Sequence, residues 1–377
     1  MSRIRLFTPG PTSVPQQVLL EMAQPVFHHR TAKYRDLLKQ VTEGLQYVFR
    51  TSNQVLTFSG SGTSAMEAGI VCCLAPGAKA LVVRGGKFGE RWAEVCKAYS
   101  LEHVNMDVEW GRAVNPAAIA KALAADPAIK AVIVTHSETS TGAGNDVEAI
   151  GKIVAPTEAL FMVDCITSTG AIPLEVDKWS IDIAATGSQK ALMLPPGLAF
   201  LAVSPKAWKV AESFQPPAYY LDIRRYRQAL DKSDNPYTPA ITLVAGLAKS
   251  LEMIKAEGLE NIWARTAKIA HATRQAALAM GLKLFAADPV DSLTSICYPD
   301  GIGDKQFRSL LREKFGVWIA GGQADLSGRI FRISHMGHID ALDAVSVIAA
   351  VEQALIACGF QVTPGIGPAK AQEILTT

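Results

Sequence analysis

Two residues that follow neighbouring strand-like runs could act in one pocket. Asp164 ends the apolar run "ALFMVD", and Lys190 follows the run "DIAATG" within "GSQKALMLPPG". The carboxyl ends of parallel strands open onto the ligand crevice of an α/β sheet. A lysine kept from water there is a nucleophile that can form a Schiff base, and a carboxylate can pair with a protonated ring nitrogen. Pyridoxal phosphate (PLP) chemistry asks a protein for these two groups. Taken singly, Asp164 also fits a turn cap and Lys190 a solvated surface lysine.

A third motif indicates an anion-binding turn. In "FSGSGTSAMEAG" (58–69) a strand ends, the small residues Ser61, Gly62 and Thr63 form a turn, and a helix begins. Free backbone N–H groups at a helix start, with hydroxyls beside them, suit a phosphate. An ordinary turn with Ser61 or Thr63 as N-cap remains open. A dinucleotide site is disfavoured because the motif lacks the GxGxxG pattern.

Several arginines could bind carboxylates. The alternation in "RIFRIS" places Arg332 on the opposite strand face from Phe331 and Ile333. Its planar guanidinium could hold a substrate α-carboxylate through two parallel hydrogen bonds, or pair with a surface acid. The segment "YYLDIRRYRQ" offers three more candidates, which either form a solvated basic face or reach the cleft to bind an acidic donor. These three are Arg224, Arg225 and Arg227.

The elements around these residues indicate an α/β fold. Continuous apolar runs alternate with helix-like segments, which predicts a mostly parallel seven-stranded sheet covered on both faces. The predicted strands are 54–58, 78–83, 101–107, 129–136, 159–164, 182–187 and 198–203, and the predicted helices between them include 63–75, 88–99, 115–125 and 146–155. Only "KALMLPPG" separates the last two strands, which is too short for a helical crossover. That pair is therefore predicted to be antiparallel.

The rest of the chain predicts a second, smaller domain. The aromatic and charged segment 205–237 is interpreted as loops and short helices, and a long helical pattern over 239–281 is interrupted near Gly258. Strand-like runs and helical patterns then alternate to the end in an α+β arrangement, with helices predicted over 304–315 and 340–357. We therefore expect a large domain over 15–256 and a small α+β domain over 257–377. The N-terminal segment 1–14, with its prolines, is expected to pack near the small domain.

Composition excludes several classes of function. The chain has 377 residues, is 49% hydrophobic and 19% charged, and carries a formal net charge of +2, which gives no electrostatic footprint for nucleic acid or an anionic membrane. The six cysteines form no CxxC pair and no Cys/His metal spacing, so no metal site is predicted and a reducing cytoplasm is expected. We find no secretory signal pattern and no apolar run long enough to span a bilayer.

Ordered motifs along nearly the whole chain resemble the class V branch of fold-type I PLP-dependent aminotransferases, in particular the alanine–glyoxylate and serine–pyruvate (serine–glyoxylate) enzymes. The motifs that carry the resemblance are "FTPGPTSVP", "SGSGTSAMEA", "GGKFGERW", "HSETSTG", "VDCITSTG", "GSQKALMLPPGLAF", "YYLDIRRY", "YTPA" and "FRIS". The segments "GSQKAL…PPG" and "ETSTG" are the most specific.

The resemblance implies a role for each site residue. Lys190 would attach the cofactor and shuttle the proton, and Asp164 would keep the pyridine nitrogen protonated. The phosphate site would comprise Ser61, Gly62, Thr63 and Gln189, with Thr238 supplied by the partner subunit. Phe88 and Ile166 would cover the two ring faces, and Thr139 would contact the ring substituents near O3′. Arg332 and the backbone near Gly10 would hold the substrate carboxylate. Relatives often carry tryptophan at position 88 and histidine at position 63; neither difference removes the chemistry, but both would alter cofactor grip and side-chain selection.

The resemblance further implies a homodimeric transaminase that moves an amino group from alanine, serine or a similar small amino acid to glyoxylate or pyruvate. An acidic donor, aspartate or an aminophosphonate, is the alternative if Arg224, Arg225 or Arg227 reaches the cleft. A cysteine desulfurase is disfavoured because Gln189 precedes Lys190, where those enzymes usually carry histidine. A non-catalytic binding protein with this fold is disfavoured by the presence of Lys190, Asp164 and Arg332 together.

Overall fold

A computed structural model describes residues 4–376. Its strands are β1 (Arg5–Leu6), β2 (Val55–Gly60), β3 (Lys79–Arg84), β4 (Glu102–Asp107), β5 (Ile129–Thr135), β6 (Ser137–Glu138), β7 (Ala143–Gly144), β8 (Leu160–Asp164), β9 (Ile183–Gly187), β10 (Gly197–Val203), β11 (Leu293–Cys297), β12 (Val317–Trp318), β13 (Ala320–Gly321) and β14 (Ile330–Ser334). Its helices are α1 (Gln16–Met22), α2 (Ala32–Phe49), α3 (Gly62–Cys73), α4 (Lys87–Ala98), α5 (Pro116–Ala125), α6 (Val147–Val154), α7 (Pro205–Glu212), α8 (Ile223–Leu230), α9 (Ile241–Glu257), α10 (Leu259–Ala279), α11 (Asp304–Phe315), α12 (Ala341–Ala357) and α13 (Ile366–Thr376), with one 3-10 turn at Ala324–Leu326.

The main sheet has seven strands in the order β2-β10-β9-β8-β5-β3-β4. Strands β4, β3, β5, β8 and β9 run parallel, whereas β10 is antiparallel to both β9 and β2. All seven strands were predicted from the sequence. The expected antiparallel pair is confirmed in β9 and β10, because the short link between them leaves no room for a crossover.

Apolar side chains on both faces of this sheet explain why its strands read as continuous hydrophobic runs. On β5, Val132 and Val134 pack into one core with α2, α6 and α9, whereas Ile133 packs into the opposite core with α3, α4 and α7. Burial of both faces is typical of parallel sheets covered by helices. The carboxyl ends of β5, β8 and β9 consequently meet at one edge, where the candidate site lies.

A second sheet, with the order β11-β14-β13, packs with α10, α11, α12 and α13 around a separate core that includes Phe307 and Phe331. The N-terminal segment joins this part of the molecule, because β1 pairs in parallel with β12 and the Phe7 N–H donates to the Trp318 carbonyl at 2.8 Å. We propose that residues 257–377 form a small domain. Gly258 lies at this boundary, between α9 and α10, and its φ of 85° ends the first of these helices.

Three helices were not anticipated from the sequence, namely α1, α2 and α13. Helices α7 and α8 lie in the segment interpreted as loops and short helices. Across residues 4–376, no helix is both long and apolar enough to cross a membrane.

Candidate active site

Lys190 lies just beyond β9, enclosed by the N-terminal segment. Its Nζ donates to the Pro9 carbonyl at 2.9 Å. Thr12 secures the same loop, since its Oγ1 donates to the Lys190 carbonyl at 2.7 Å and its N–H donates to the Gln189 carbonyl at 3.1 Å. A Cβ at Gly10 would lie 2.1 Å from Nζ, and Gly10 has a φ of 146°, so only glycine fits here. The N-terminal segment therefore forms one wall of the lysine pocket.

The environment of Lys190 favours the neutral amine. Burial lowers its pKa from 10.5 to about 8, and the charges of Arg332 and Arg91 act in the same direction, while Asp164 opposes them. A lysine with this pKa has a substantial neutral fraction near physiological pH, which is the nucleophilic form.

Asp164 ends β8 and is buried. Its Oδ1 accepts a hydrogen bond from the Ile166 N–H at 2.9 Å, whereas its Oδ2 is buried without a partner among residues 4–376. Burial raises the pKa of Asp164 to about 7; the charge of Glu138 adds to this, and the Ile166 N–H, the nearby Trp92 indole N–H and the charge of Lys190 oppose it, although the indole does not reach hydrogen-bonding geometry with Oδ2. A buried carboxylate oxygen without a donor is costly, and a protonated ring nitrogen is a donor that would satisfy it.

The turn before α3 has the features of an anion site. Ser61 is the N-cap residue of this helix but forms no side-chain capping bond, so the alternative N-cap role is not what the turn provides. The backbone N–H groups of Gly62 and Thr63 have no acceptor within residues 4–376. A Cβ at Gly62 would lie 2.7 Å from Ile166 Cδ1, so Ile166 packs directly against the turn.

Gln189 completes this turn. A Cβ at Gly187 would lie 3.1 Å from Gln189 Oε1 and 3.2 Å from the Gly62 nitrogen, which places the amide beside the helix start. Gln189 Oε1 is buried without a partner in the described part of the chain. The structure thus brings together Ser61, Gly62, Thr63 and Gln189, as the phosphate prediction requires.

Phe88 lies in the first turn of α4, and a buried carboxylate holds that turn in place. Glu138 accepts hydrogen bonds from the N–H groups of Phe88 at 3.3 Å and Gly89 at 3.0 Å, and from the Ser140 N–H at 3.1 Å. Burial raises the pKa of Glu138, and these hydrogen bonds oppose the shift. The sequence reasoning missed Glu138, although it quoted "ETSTG". An acid directly after an apolar strand, surrounded by small hydroxyl residues, was the available signal.

Arg332 is 4% exposed and contacts the loop that follows Glu138. Its Nη1 donates to the Thr139 carbonyl at 2.6 Å, and its Nε and Nη2 donate to the Gly321 carbonyl at 3.0 and 2.6 Å. Burial lowers the pKa of Arg332 to about 10. No acid pairs with it within residues 4–376, so the surface-pair alternative is wrong. A guanidinium has five N–H groups, so two remain for a ligand carboxylate.

Thr139 is fixed by the same network. Its Oγ1 lies 2.8 Å from Thr167 Oγ1, and the Thr167 hydroxyl donates to the Ser137 carbonyl at 3.1 Å. Thr167 was not singled out from the sequence. Its role follows from the contact with Thr139, which sequence alone does not reveal.

Thr238 lies apart from the other predicted site residues of its own chain. It is exposed and lines a small cavity with Ser59 and Tyr220, and it forms no hydrogen bond with Lys190, Asp164 or Arg332. That Thr238 contacts the cofactor phosphate of a neighbouring subunit remains a prediction.

The three arginines near α8 are engaged elsewhere. Arg224 donates to Asp222 at 2.9 and 2.8 Å, and the Arg225 guanidinium carbon lies 4.5 Å from the Tyr219 ring centroid. Arg227 pairs with Glu212, and its guanidinium lies 4.1 Å from the Trp208 ring centroid. These contacts fit the alternative of a basic face, and they give no support to a cleft role.

The arrangement fits PLP. Asp164 Oδ2, buried without a partner among the described residues, lies where a protonated ring nitrogen could donate to it, and the free N–H groups of Gly62 and Thr63 could donate to a phosphate. The Lys190 amine lies in the same pocket as Asp164, because the charge of each affects the pKa of the other. No cluster of three or more His, Cys, Asp or Glu side chains that could hold a metal occurs between residues 4 and 376.

Comparison with known proteins agrees with this chemistry. The family described as "Aminotransferase class-V" matches residues 4–336. A protein named "Soluble hydrogenase, small subunit" from Synechococcus sp. (strain PCC 6716) is 42% identical, covering 99% of this chain and 98% of its own. An L-aspartate–glyoxylate aminotransferase from Paracoccus denitrificans is 36% identical, covering 98% and 95%. A serine–glyoxylate aminotransferase from Methylorubrum extorquens is also 36% identical, covering 99% and 96%.

Proposed function

The chain belongs to the class V aminotransferases, PLP-dependent enzymes of fold type I that move an amino group from an amino acid to a 2-oxo acid, and from this premise we propose its substrates and the role of each site residue. The donor is a small amino acid such as alanine or serine, and the acceptor is glyoxylate or pyruvate. The observation that carries the proposal is the single pocket that holds the Lys190 amine, whose pKa is lowered by burial, and the buried Asp164 carboxylate, whose Oδ2 has no partner among the described residues.

Bound PLP supplies an electron sink for the pair of electrons left at the substrate carbon. Lys190 would attach the cofactor through the neutral form of its amine, and the same ε-amine, once displaced by the amino group of the substrate, would carry the proton from the substrate Cα. Asp164 would keep the ring nitrogen protonated by accepting its hydrogen. Because the pocket is buried, water would weaken this pairing little.

The other roles follow the contacts around this pair. Phe88 and Ile166 would cover the two ring faces, with Phe88 positioned by Glu138. Thr139 would contact the ring substituents near O3′, and Arg332 would bind the substrate α-carboxylate with the backbone near Gly10. The remaining roles form the phosphate site, which comprises Ser61, Gly62, Thr63 and Gln189.

The positions of the arginines favour an amino donor with a small, uncharged side chain. Arg332 and Arg91 are the two arginines whose charges affect Lys190. Arg332 is assigned to the substrate α-carboxylate, and Arg91 lies beside the phosphate turn. Arg224, Arg225 and Arg227, the candidates for a distal carboxylate, contact acids or aromatic rings near α8. Aspartate is therefore the second candidate donor, supported by the Paracoccus denitrificans relative rather than by a cation in the site.

We also propose a homodimer and a cytoplasmic location. Large apolar side chains are exposed, including Leu19, Leu20 and Val26 near α1 and Tyr219 and Tyr220 before α8. An exposed apolar set of this kind is typical of a protein interface. Thr238, exposed and close to Ser59, would then reach the phosphate of the partner subunit. The free, mostly buried cysteines are compatible with a reducing compartment.

A single-turnover experiment tests the substrate proposal. PLP-loaded enzyme is mixed with alanine, serine, aspartate and an aminophosphonate in turn, and the visible absorbance of the lysine-bound cofactor is followed. Recovery is then measured with glyoxylate, pyruvate and 2-oxoglutarate. We expect bleaching with alanine or serine and recovery with glyoxylate or pyruvate. Faster bleaching with aspartate would contradict the small-donor proposal, and no bleaching with any amino donor would contradict transamination.

A further inference from the structure

We propose that Arg91 is a direct ligand of the cofactor phosphate, an inference that rests on the proposed phosphate role of the turn at Ser61, Gly62 and Thr63. Arg91 was not singled out from the sequence. It stands in "GGKFGERW", one helical turn after Phe88 on α4.

The guanidinium of Arg91 lies between the ring-stacking and the phosphate residues. Its central carbon is 5.0 Å from the Phe88 ring centroid, and its Nη1 is 3.4 Å from Thr63 Oγ1. This long contact is the only hydrogen bond that the guanidinium makes within residues 4–376. Four of its five N–H groups thus lack an acceptor there.

Two acids on α4 and α3 are paired with residues other than Arg91, and the exposed Glu94, one turn further along α4, forms no ion pair with Arg91 among the described residues. On the same helix, Glu90 pairs with Lys87, and on α3, Glu67 accepts a hydrogen bond from the Tyr99 hydroxyl. Arg91 is half-buried and forms no ion pair within the described residues, which fits an arginine that binds an anion from outside the chain. It contrasts with Arg84 at the end of β3, which pairs with Asp107 at the end of β4.

The charge of a phosphate requires such a cation. A helix N-terminus supplies about half an elementary charge, which leaves most of a phosphate dianion uncompensated. The Gly62 and Thr63 N–H groups and the Gln189 amide add hydrogen bonds but no charge. Arg91 is the arginine beside this turn, and its planar fork matches two phosphate oxygens. Its charge also reaches Lys190, whose pKa it helps to lower, so it belongs to the same pocket.

The test separates the phosphate from the ring. Apo-protein is titrated with PLP and with pyridoxal, which has the same ring and aldehyde but no phosphate, and binding is read from the visible absorbance of the lysine-bound ring. We expect Arg91→Gln to weaken PLP binding about 10- to 100-fold and pyridoxal binding less than about twofold. Arg91→Lys should recover part of the loss. Lys97→Gln, which removes a like charge from the exposed last turn of the same helix, serves as the matched control and should change neither.

The outcomes distinguish this inference from the broader proposal. If Arg91→Gln weakened PLP and pyridoxal equally, Arg91 would act on Phe88 or the helix rather than on the phosphate, and the inference would be overturned. The same holds if neither ligand were affected. Wild-type protein that bound neither ligand would overturn the role of Lys190 as well.

Discussion

The cofactor pocket and the α8 region both concentrate charged side chains, yet they satisfy them in opposite ways. In the pocket, Asp164 Oδ2 is buried without a partner among the described residues. Around α8, Arg224 is bonded to both carboxylate oxygens of Asp222, and Arg227 pairs with Glu212. A buried carboxylate oxygen without a donor is costly and can be satisfied by a ligand, whereas the paired charges around α8 need none.

The comparison also explains the shifted pKa values. Lys190 and Asp164 are shifted towards neutrality by burial, to about 8 and about 7, whereas the pKa of the well-paired Asp222 is lowered. A ligand that supplies the missing partners in the pocket would restore both charges. A ligand would change the pKa values of the α8 region little, because its charges are already compensated. The following predictions test this difference, beginning with the largest effect.

Replacing Lys190 by alanine should cause the largest loss. The variant lacks both the cofactor attachment and the proton carrier, so we expect kcat to fall by about 10³-fold or more. PLP should still be retained by the phosphate site without turnover. Steady-state rates and cofactor content after gel filtration measure both effects. Turnover close to that of the wild type would contradict the assignment of Lys190.

Replacing Asp164 by asparagine should lower kcat by about 10²-fold, since the ring nitrogen loses its anionic partner. In the apo-protein the same change should be stabilising at high pH. The folded pKa of Asp164, about 7, lies above its ordinary 3.8, so its stabilising contribution is present at low pH and is lost as pH rises through 7. Asparagine avoids this loss.

Thermal unfolding of apo-protein at about pH 6 and about pH 9 measures this difference. We expect the Tm of Asp164→Asn relative to wild type to be about 2 to 4 °C higher at the upper pH than at the lower one. A pH-independent difference would mean that Asp164 does not titrate in the folded protein in this range.

Replacing Arg332 by alanine should raise KM for every amino donor about 10- to 100-fold, because all donors share the α-carboxylate. Arg332→Lys serves as the second variant, since alanine also leaves the Thr139 and Gly321 carbonyls without their donor. Circular dichroism checks that both variants are folded. An effect confined to one donor would place Arg332 at the side-chain end of the site instead.

Replacing Arg225 by glutamine should have the smallest effect. Its guanidinium lies over the Tyr219 ring, half exposed to solvent. We expect kcat/KM to change less than about twofold for alanine and for aspartate alike. A selective loss with aspartate would break the comparison, because it would give the α8 region a part in substrate selection.

Much of this architecture could be predicted because local pattern and position agree. The seven strands of the main sheet are apolar runs buried on both faces, and Asp164 and Lys190 follow two adjacent strands of it. Helix α2 was not predicted, although Leu38, Val41 and Leu45 repeat at helical spacing along it.

The remaining site residues could not be found locally. The importance of Pro9, Arg91 and Glu138 depends on contacts with residues far away in the sequence: Lys190, Thr63 and the first turn of α4. Their side-chain types are common on protein surfaces, so composition and periodicity give them no weight. Thr238 presents a different problem, since its proposed role needs a second chain.

The carbonyl of Pro9 and the hydroxyl of Thr12 both hold the Lys190 loop, and Gly10 leaves no space for a side chain against its amine. Residues 9–12 consequently form one wall of the pocket around the Lys190 amine. A variant that lacks these four residues would leave that amine open to water.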